Sequence, residues 1–277
     1  MNVRMQPRQS AADLSGIAVV SRRDGKEAVL LNFSHLHIGQ GEWIAVTGPN
    51  GSGKSTLARL LAGLIRPAAG KVTVKDRPQL VMQNPDAQVI GETVGEDILF
   101  GMECAGVNPD DTFRLMEQAL RHVGLDVPFD RPVEELSGGQ KQLLAIASAL
   151  VTGASMLILD EVTSMLDPQG RERILQLAAR LHRQGTAIVW ITQLPDELVH
   201  AERIIVLKRG AIAYDGSSRD FFYPSADAKR LPPCDELGMA APYVVQVVRS
   251  LAEQGICFPE PPMTPEQLGE AVSRLCR

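Results

Sequence analysis

The sequence predicts an α/β fold built around a mostly parallel sheet. Three observations carry this expectation. Strand-length apolar runs recur at Trp43–Thr47, Met156–Leu159 and Ala187–Ile191. Stretches with apolar residues at helical spacing alternate with those runs. A glycine-rich segment joins the first run directly to the first helical stripe. Apolar strands alternating with helices imply a parallel sheet covered on both faces.

Taken in order, residues up to about Ser10 are polar and expected to be loose. Ile17–Val20 and Val29–Ile38 are rich in β-branched and apolar residues, with Asp24-Gly25 between them as a turn signal. Trp43–Thr47 reads as a buried strand ended by Gly48, followed by a helix striped by Leu57, Leu60, Leu61 and Leu64. The middle, about 84–152, reads as helical. Phe113, Met116, Leu120 and Val123 share one face there, and Gly124 is a stop. Ile174, Leu177, Ala178 and Leu181 stripe a further helix that ends near Gly185. Ile204–Tyr214, interrupted by Arg209-Gly210, reads as a hairpin. Beyond Gly216 the prolines at 224, 232, 233, 259, 261 and 262 break the chain into short pieces. Val244, Val245, Val248 and Leu251 suggest one amphipathic helix among them. The expected division is a main domain over 1–217, with a helical subdomain at about 84–152, and a C-terminal extension over 218–277.

Composition narrows the function. The 277 residues are 44% hydrophobic, enough for a sizeable core. A net charge of −5 disfavours a general nucleic-acid binder. The four cysteines, Cys104, Cys234, Cys257 and Cys276, form no C-x-x-C motif and read as unpaired thiols of a reducing compartment. No secretory signal is visible at the N-terminus. No run approaches the ~20 apolar residues of a membrane span. A membrane role would therefore go through a partner.

Gly48, Pro49, Asn50, Gly51, Ser52, Gly53, Lys54, Ser55 and Thr56 fit the pattern G-x-x-x-x-G-K-[ST]. The segment lies where a phosphate cradle must lie, after a buried strand and opening a helix. Glycines let backbone N–H groups wrap a phosphate chain, and the helix N-terminus adds positive potential. Lys54 is expected to reach the β- and γ-phosphates of ATP, and the Ser55 hydroxyl to ligate Mg²⁺. Asp160 emerges at the end of the second apolar run, placed to hold Mg²⁺ through water. Glu161 follows it, placed to orient and deprotonate an attacking water.

Leu136, then Ser137, Gly138, Gly139 and Gln140, open a helical stretch running to Leu150. A second glycine-rich helix N-terminus is a second anion site. One nucleotide does not need two such cradles from one chain, so this one is expected to cap a nucleotide held by another subunit. In this order and spacing the motifs resemble those of the ABC ATPases, over nearly the whole chain. The resemblance implies a RecA-like phosphate-loop sheet, an antiparallel β subdomain and a helical signature subdomain. It makes Gln83 the glutamine that touches the metal and links it to the helical subdomain. It makes Ser164-Met165-Leu166-Asp167 the loop that meets the opposite subunit. It also implies a head-to-tail nucleotide sandwich whose closure drives a membrane partner.

Gln83-Asn84-Pro85-Asp86-Ala87-Gln88, Thr93-Val94-Gly95-Glu96-Asp97 and Phe100-Gly101 resemble the ATPases of energy-coupling factor (ECF) transporters. So does the tail, with Pro242–Val248, Gly255 and Thr264-Pro265-Glu266-Gln267-Leu268. This implies a second ATPase subunit, paralogue or self, a transmembrane coupling subunit, and a membrane subunit binding a vitamin or metal ion. It places the chain peripherally on the cytoplasmic face of the cell membrane. Two departures stand out. Gln193 occupies the position where the family usually carries a γ-phosphate-binding histidine, and the amide can donate but not exchange protons as imidazole can. The stretch Val20-Ser21-Arg22-Arg23 lacks the aromatic residue that usually stacks on adenine. Two rival readings are a soluble non-transport ABC ATPase and a mainly regulatory ATP-binding subunit.

Overall fold

The computed structural model describes residues 8–23, 26–106, 111–223 and 231–275. The chain begins with a long antiparallel pair, β1 (Ser10–Arg23) and β2 (Lys26–Gly39). It then enters β3 (Trp43–Thr47) and α1 (Lys54–Leu61). β4 (Ala69–Val74) returns to pair with β1, giving a three-stranded antiparallel sheet of order β2-β1-β4. β5 (Gln79–Val81) leads into α2 (Val94–Ala105), α3 (Thr112–Val123) and α4 (Gly138–Leu150). β6 (Met156–Asp160), α5 (Pro168–Arg183), β7 (Ala187–Ile191), α6 (Pro195–Leu198), β8 (Arg203–Lys208) and β9 (Ala211–Ser217) follow. The C-terminal part carries α7 (Ser218–Phe222), α8 (Pro233–Glu236), α9 (Tyr243–Glu253) and α10 (Pro265–Leu275).

The main sheet has the order β5-β6-β7-β3-β8-β9. Every neighbouring pair in it is parallel except the β8–β9 hairpin. That hairpin turns on Arg209 and Gly210, both at positive φ (52° and 80°). β3, β6 and β7 are buried at every residue, as expected for central strands covered on both faces. Side chains alternate between the faces with period two. Ile44, Val46, Ile158, Val189 and Ile191 pack with α1 and the antiparallel sheet. Ala45, Leu157, Leu159, Ile188 and Trp190 pack toward α4 and α5 on the other face.

Several expectations need correction. Ser10 begins β1 rather than closing a loose leader. Residues 1–7 and the turn signal Asp24-Gly25 lie outside the described residues. Leu64 is not part of the α1 stripe: the helix ends at Leu61, Gly63 turns the chain with φ 72°, and Leu64 is 65% exposed. Phe113 sits on α3 but is 68% exposed, edge-on to Phe129, while Met116, Leu120 and Val123 are buried. The α5 stripe Ile174, Leu177, Ala178 and Leu181 is buried throughout.

The segment after Ser217 joins the larger core. Phe221, Phe222, Val245 and Val248 belong to the same apolar cluster as Trp190, Ile188 and the helices of the middle segment. Among the described residues Cys104, Cys234 and Cys257 are free thiols. Cys276 lies outside them.

Candidate nucleotide site

The site gathers at the C-terminal ends of β3, β6 and β7, where a parallel sheet opens a crevice. β3 ends at Thr47, and the chain wraps through 48–53 into α1. Backbone geometry explains the glycines at both ends of this wrap. A Cβ on Gly48 would sit 2.1 Å from the Leu207 carbonyl oxygen. Gly53 has φ 107°, and a Cβ there would sit 2.7 Å from a Leu31 methyl. The first helical bond runs from Leu57 N–H to Gly53 O at 2.8 Å. The N–H groups of Lys54, Ser55 and Thr56 precede it and are free to face an anion.

Lys54, Ser55, Thr56, Asn50, Gly51, Gly53, Gln83 and Glu161 line one cleft of about 290 Å³, so the cradle, the glutamine and the acid do meet. Leu30 of β2 also lines it. Sequence reasoning passed over Leu30, since a partly exposed leucine on a long strand carries no motif. Lys54 Nζ donates to the carbonyls of Gly48 (2.9 Å) and Pro49 (3.2 Å). It also lies 3.8 Å from Glu161 Oε1. Burial holds its pKa below the usual lysine value, opposed by the charges of Glu161 and Asp160.

Asp160 ends β6 and is buried. Burial raises its pKa above the usual aspartate value, the Ser55 hydroxyl bond lowers it, and the neighbouring Glu161 charge raises it further. Its Oδ1 and the Oγ of Ser52 are buried without a hydrogen-bond partner. Orphaned buried polar atoms are rare in folded proteins, and a bound ion, ligand or water would satisfy these two. A hydroxyl (Ser55), a carboxylate (Asp160) and an amide (Gln83) are hard oxygen donors suited to Mg²⁺, which is usually completed by substrate phosphates and water. Among the described residues no cluster of three His, Cys, Asp or Glu is present to hold a metal without such help.

Glu161 adopts φ 51°, a left-handed conformation that costs a non-glycine residue about 1–3 kcal/mol and tends to occur at functional sites. Its N–H donates to Ile191 O at 2.9 Å, which anchors the strained residue to the end of β7. Gln193 Nε2 donates to Glu161 Oε1 at 2.7 Å and to Asn50 Oδ1 at 2.9 Å. The amide thus bridges the acid and the phosphate loop. Gln83 Nε2 donates to Ser164 Oγ at 3.2 Å, and that hydroxyl donates to Glu161 O at 2.8 Å. Ser164 was singled out only by resemblance as part of a subunit-facing loop, and its tie to Gln83 and Glu161 had no sequence signal.

The glycine-rich signature lies elsewhere. Ser137 caps α4, its hydroxyl accepting from Gln140 N–H at 3.2 Å while Gln140 Oε1 accepts from Ser137 N–H at 2.9 Å. Ser137, Gly138, Gly139 and Gln140 line a separate cavity of about 340 Å³ with Leu166, Asp167, Gln169, Gly170 and Arg173. None of these residues lines the phosphate-loop cleft. In the stretch that lacks an adenine-stacking aromatic, the side chains of Arg22 and Arg23 lie outside the described residues.

Comparison with known proteins agrees with this geometry. The ABC transporter family pattern matches residues 31–164. The ECF transporter ATP-binding protein EcfA1 of Halalkalibacterium halodurans is 36% identical over 263 residues, 90% of this chain and 92% of the relative. The corresponding protein of Symbiobacterium thermophilum is 39% identical over 255 residues, 87% of each chain. Among solved structures, cbiO1 from Clostridium perfringens, described as part of the ABC transporter complex cbiONQ, superposes with TM-score 0.68 at 27% identity, covering 77% of this chain and 90% of that one. An ATP-binding cassette in a dimeric post-hydrolysis state with ADP and Pi gives TM-score 0.67 at 26% identity, covering 76% of this chain and all of that one. With the cleft, the signature and this similarity together, the chain belongs to the ABC transporter ATPases, in the group of ECF transporter ATP-binding proteins.

Proposed function

We propose that this chain hydrolyses ATP to energise an ECF-type membrane importer of a vitamin or metal ion. The observation that carries the reading is the meeting of Lys54, Ser55, Gln83 and Glu161 in one cleft, beside the orphaned Asp160 carboxylate oxygen. Ser55, Asp160 and Gln83 would hold Mg²⁺, which offsets phosphate charge when bound. Lys54 leaves the Gly48 and Pro49 carbonyls and Glu161 to meet the phosphates. Glu161, released from the lysine, takes the proton of the attacking water. Gln193 holds the acid in line with one N–H, and its other N–H, bonded to Asn50 Oδ1 here, would turn to the γ-phosphate. Residues 48–56 bind the phosphates through their backbone.

The separation of the signature cavity from the cleft supports a composite site. Ser137, Gly138, Gly139 and Gln140 would cap ATP held by a second ATPase subunit, a paralogue or a second copy. Among the described residues no helix is long and apolar enough to cross a membrane. The reading therefore requires a transmembrane coupling subunit and a membrane subunit that binds the solute, with this chain peripheral on the cytoplasmic face and no nucleic-acid partner. We assign residues 1–217 to the ATPase domain, about 84–152 to its helical subdomain and 218–277 to the C-terminal extension. The amide of Gln193, standing where the family usually carries an imidazole, favours one alternative, a mainly regulatory site that binds ATP firmly and turns over slowly.

Co-purification tests the reading. The tagged chain, extracted in mild detergent, is expected to bring down integral membrane proteins and to hydrolyse ATP in that complex. Recovery with ribosomes or RNA in place of membrane proteins would contradict it.

A further inference from the structure

Glu197 is an acid with no role in the cleft, yet it is 3% exposed. It lies on α6, in the short stretch Pro195-Asp196-Glu197-Leu198, where an acid ordinarily faces solvent. Its carboxylate accepts three hydrogen bonds from three places. Thr163 Oγ1 donates to Oε1 at 2.6 Å. Trp190 Nε1 donates to Oε2 at 3.0 Å. Thr192 Oγ1 donates to the same Oε2, and accepts in turn from Leu194 N–H at 3.0 Å. Burying a carboxylate is costly unless its oxygens are well bonded, and three donors meet that need.

Two of the three donors sit beside the reacting groups. Thr192 precedes Gln193, and its N–H donates to Val46 O at 3.1 Å, next to the start of the phosphate loop. Thr163 lies two residues beyond Glu161 and one before Ser164, the hydroxyl that joins Gln83 to the Glu161 carbonyl. Both threonines are buried, at 1% and 2% exposure. The third donor, Trp190, is a core side chain within β7 that lines no part of the cleft. The carboxylate therefore fastens the segment carrying Gln193 to the segment carrying Glu161.

We propose that Glu197 is a positioning residue for ATP hydrolysis, setting the 2.7 Å contact between Gln193 and Glu161 through Thr192 and Thr163. It acts through these residues and touches no reacting atom. The inference rests on the reading of Glu161 as the base. A wholly structural role would make the three hydrogen bonds equivalent for catalysis. A positioning role makes the two threonine bonds matter for turnover and the tryptophan bond matter only for stability.

Single-turnover hydrolysis of Mg-ATP by the full chain, assembled with its ATPase partner, separates these cases. ATP affinity and thermal melting are measured alongside. Thr163→Val and Thr192→Val are each expected to lower the rate at least tenfold with the ATP Kd within threefold of wild type. Trp190→Phe is expected to keep the rate within twofold while lowering the melting temperature. Glu197→Ala is expected to follow the threonine variants. Glu197→Gln is expected to stay within threefold of wild type, because its amide oxygen can serve Trp190 and Thr192 while its NH₂ donates to a reoriented Thr163 hydroxyl. Equal rate losses in Trp190→Phe and Thr163→Val would overturn the proposal, as would full rates in both threonine variants. Glu161→Gln run in parallel tells the two failures apart. If it is inactive while the threonine variants are fully active, only the positioning role fails. If it is fully active, the reading of the base fails and this inference with it.

Discussion

Gln193 Nε2 lies 2.7 Å from Glu161 Oε1 and 2.9 Å from Asn50 Oδ1, so one amide holds the acid and the phosphate loop together. The same Glu161 oxygen lies 3.8 Å from Lys54 Nζ. Nucleotide phosphates would draw the lysine away and leave Gln193 as the group that orients the carboxylate. The amide can do this with a neutral donor, without the proton exchange of an imidazole.

Gln193→Ala removes that donor and leaves the acid free to turn. Losing one aligned donor to a transition state typically costs about 10²-fold or more. Here the donor acts on the base rather than on the phosphate alone, so a loss of about tenfold in turnover is expected. ATP affinity should stay within about threefold, since the backbone of 48–56 is untouched. Steady-state kinetics at saturating ATP, with the partner's own base disabled, check this. An unchanged rate would show that the contact does not orient Glu161.

Asp160 gives a pH-dependent prediction. Its folded pKa is raised by burial, so the folded state prefers the protonated acid. The destabilisation is absent at low pH and sets in as pH rises through the interval between the unfolded and the raised folded pKa. Asp160→Asn is therefore expected to melt higher than wild type at pH 7.5 in the absence of nucleotide. The difference should shrink toward pH 4. Mg-ATP should reverse the order, because only the wild-type carboxylate gains a metal. Differential scanning calorimetry across pH, with and without Mg-ATP, reads both effects.

Ser137 tests the composite site. Ser137→Arg puts a bulky cation into the signature cavity, which shares no lining residue with the phosphate-loop cleft. ATP binding to the isolated chain is expected to be unchanged, and the ATP-dependent dimer to be lost. The substitution also removes the cap of α4, a loss of about 1 kcal/mol. Ser137→Ala shares that loss without the bulk, and is expected to retain the dimer. Size-exclusion chromatography with ATP, in a hydrolysis-deficient background, distinguishes them.

Sequence reasoning reached the central strands because β3, β6 and β7 are apolar at nearly every position, the signature of strands buried on both faces. It did not reach β4, whose residues are exposed or half-buried, or β5, which is three residues long. Leu64 and Phe113 fitted a helical period yet face solvent, since a period cannot say where a helix stops or how wide its buried stripe is. The phosphate loop was legible because its chemistry needs glycines at fixed spacing. Glu197 and Leu30 were not, because each acts through tertiary contacts that leave no local pattern. The bridge from Gln193 to Glu161 joins residues 32 apart in sequence, and only the folded sheet brings them together.

The central claim is that Glu161 is the base of a hydrolytic site built on this chain's own phosphate loop. Glu161→Gln keeps the size of the side chain and removes its basicity. Removing a general base typically costs about 10²–10⁴-fold. The decisive measurement is single-turnover hydrolysis of Mg-ATP by this variant in the purified assembly, with the partner's site disabled. The account predicts ATP binding within about threefold of wild type and hydrolysis slowed at least a hundredfold. Hydrolysis within about threefold of wild type would contradict it.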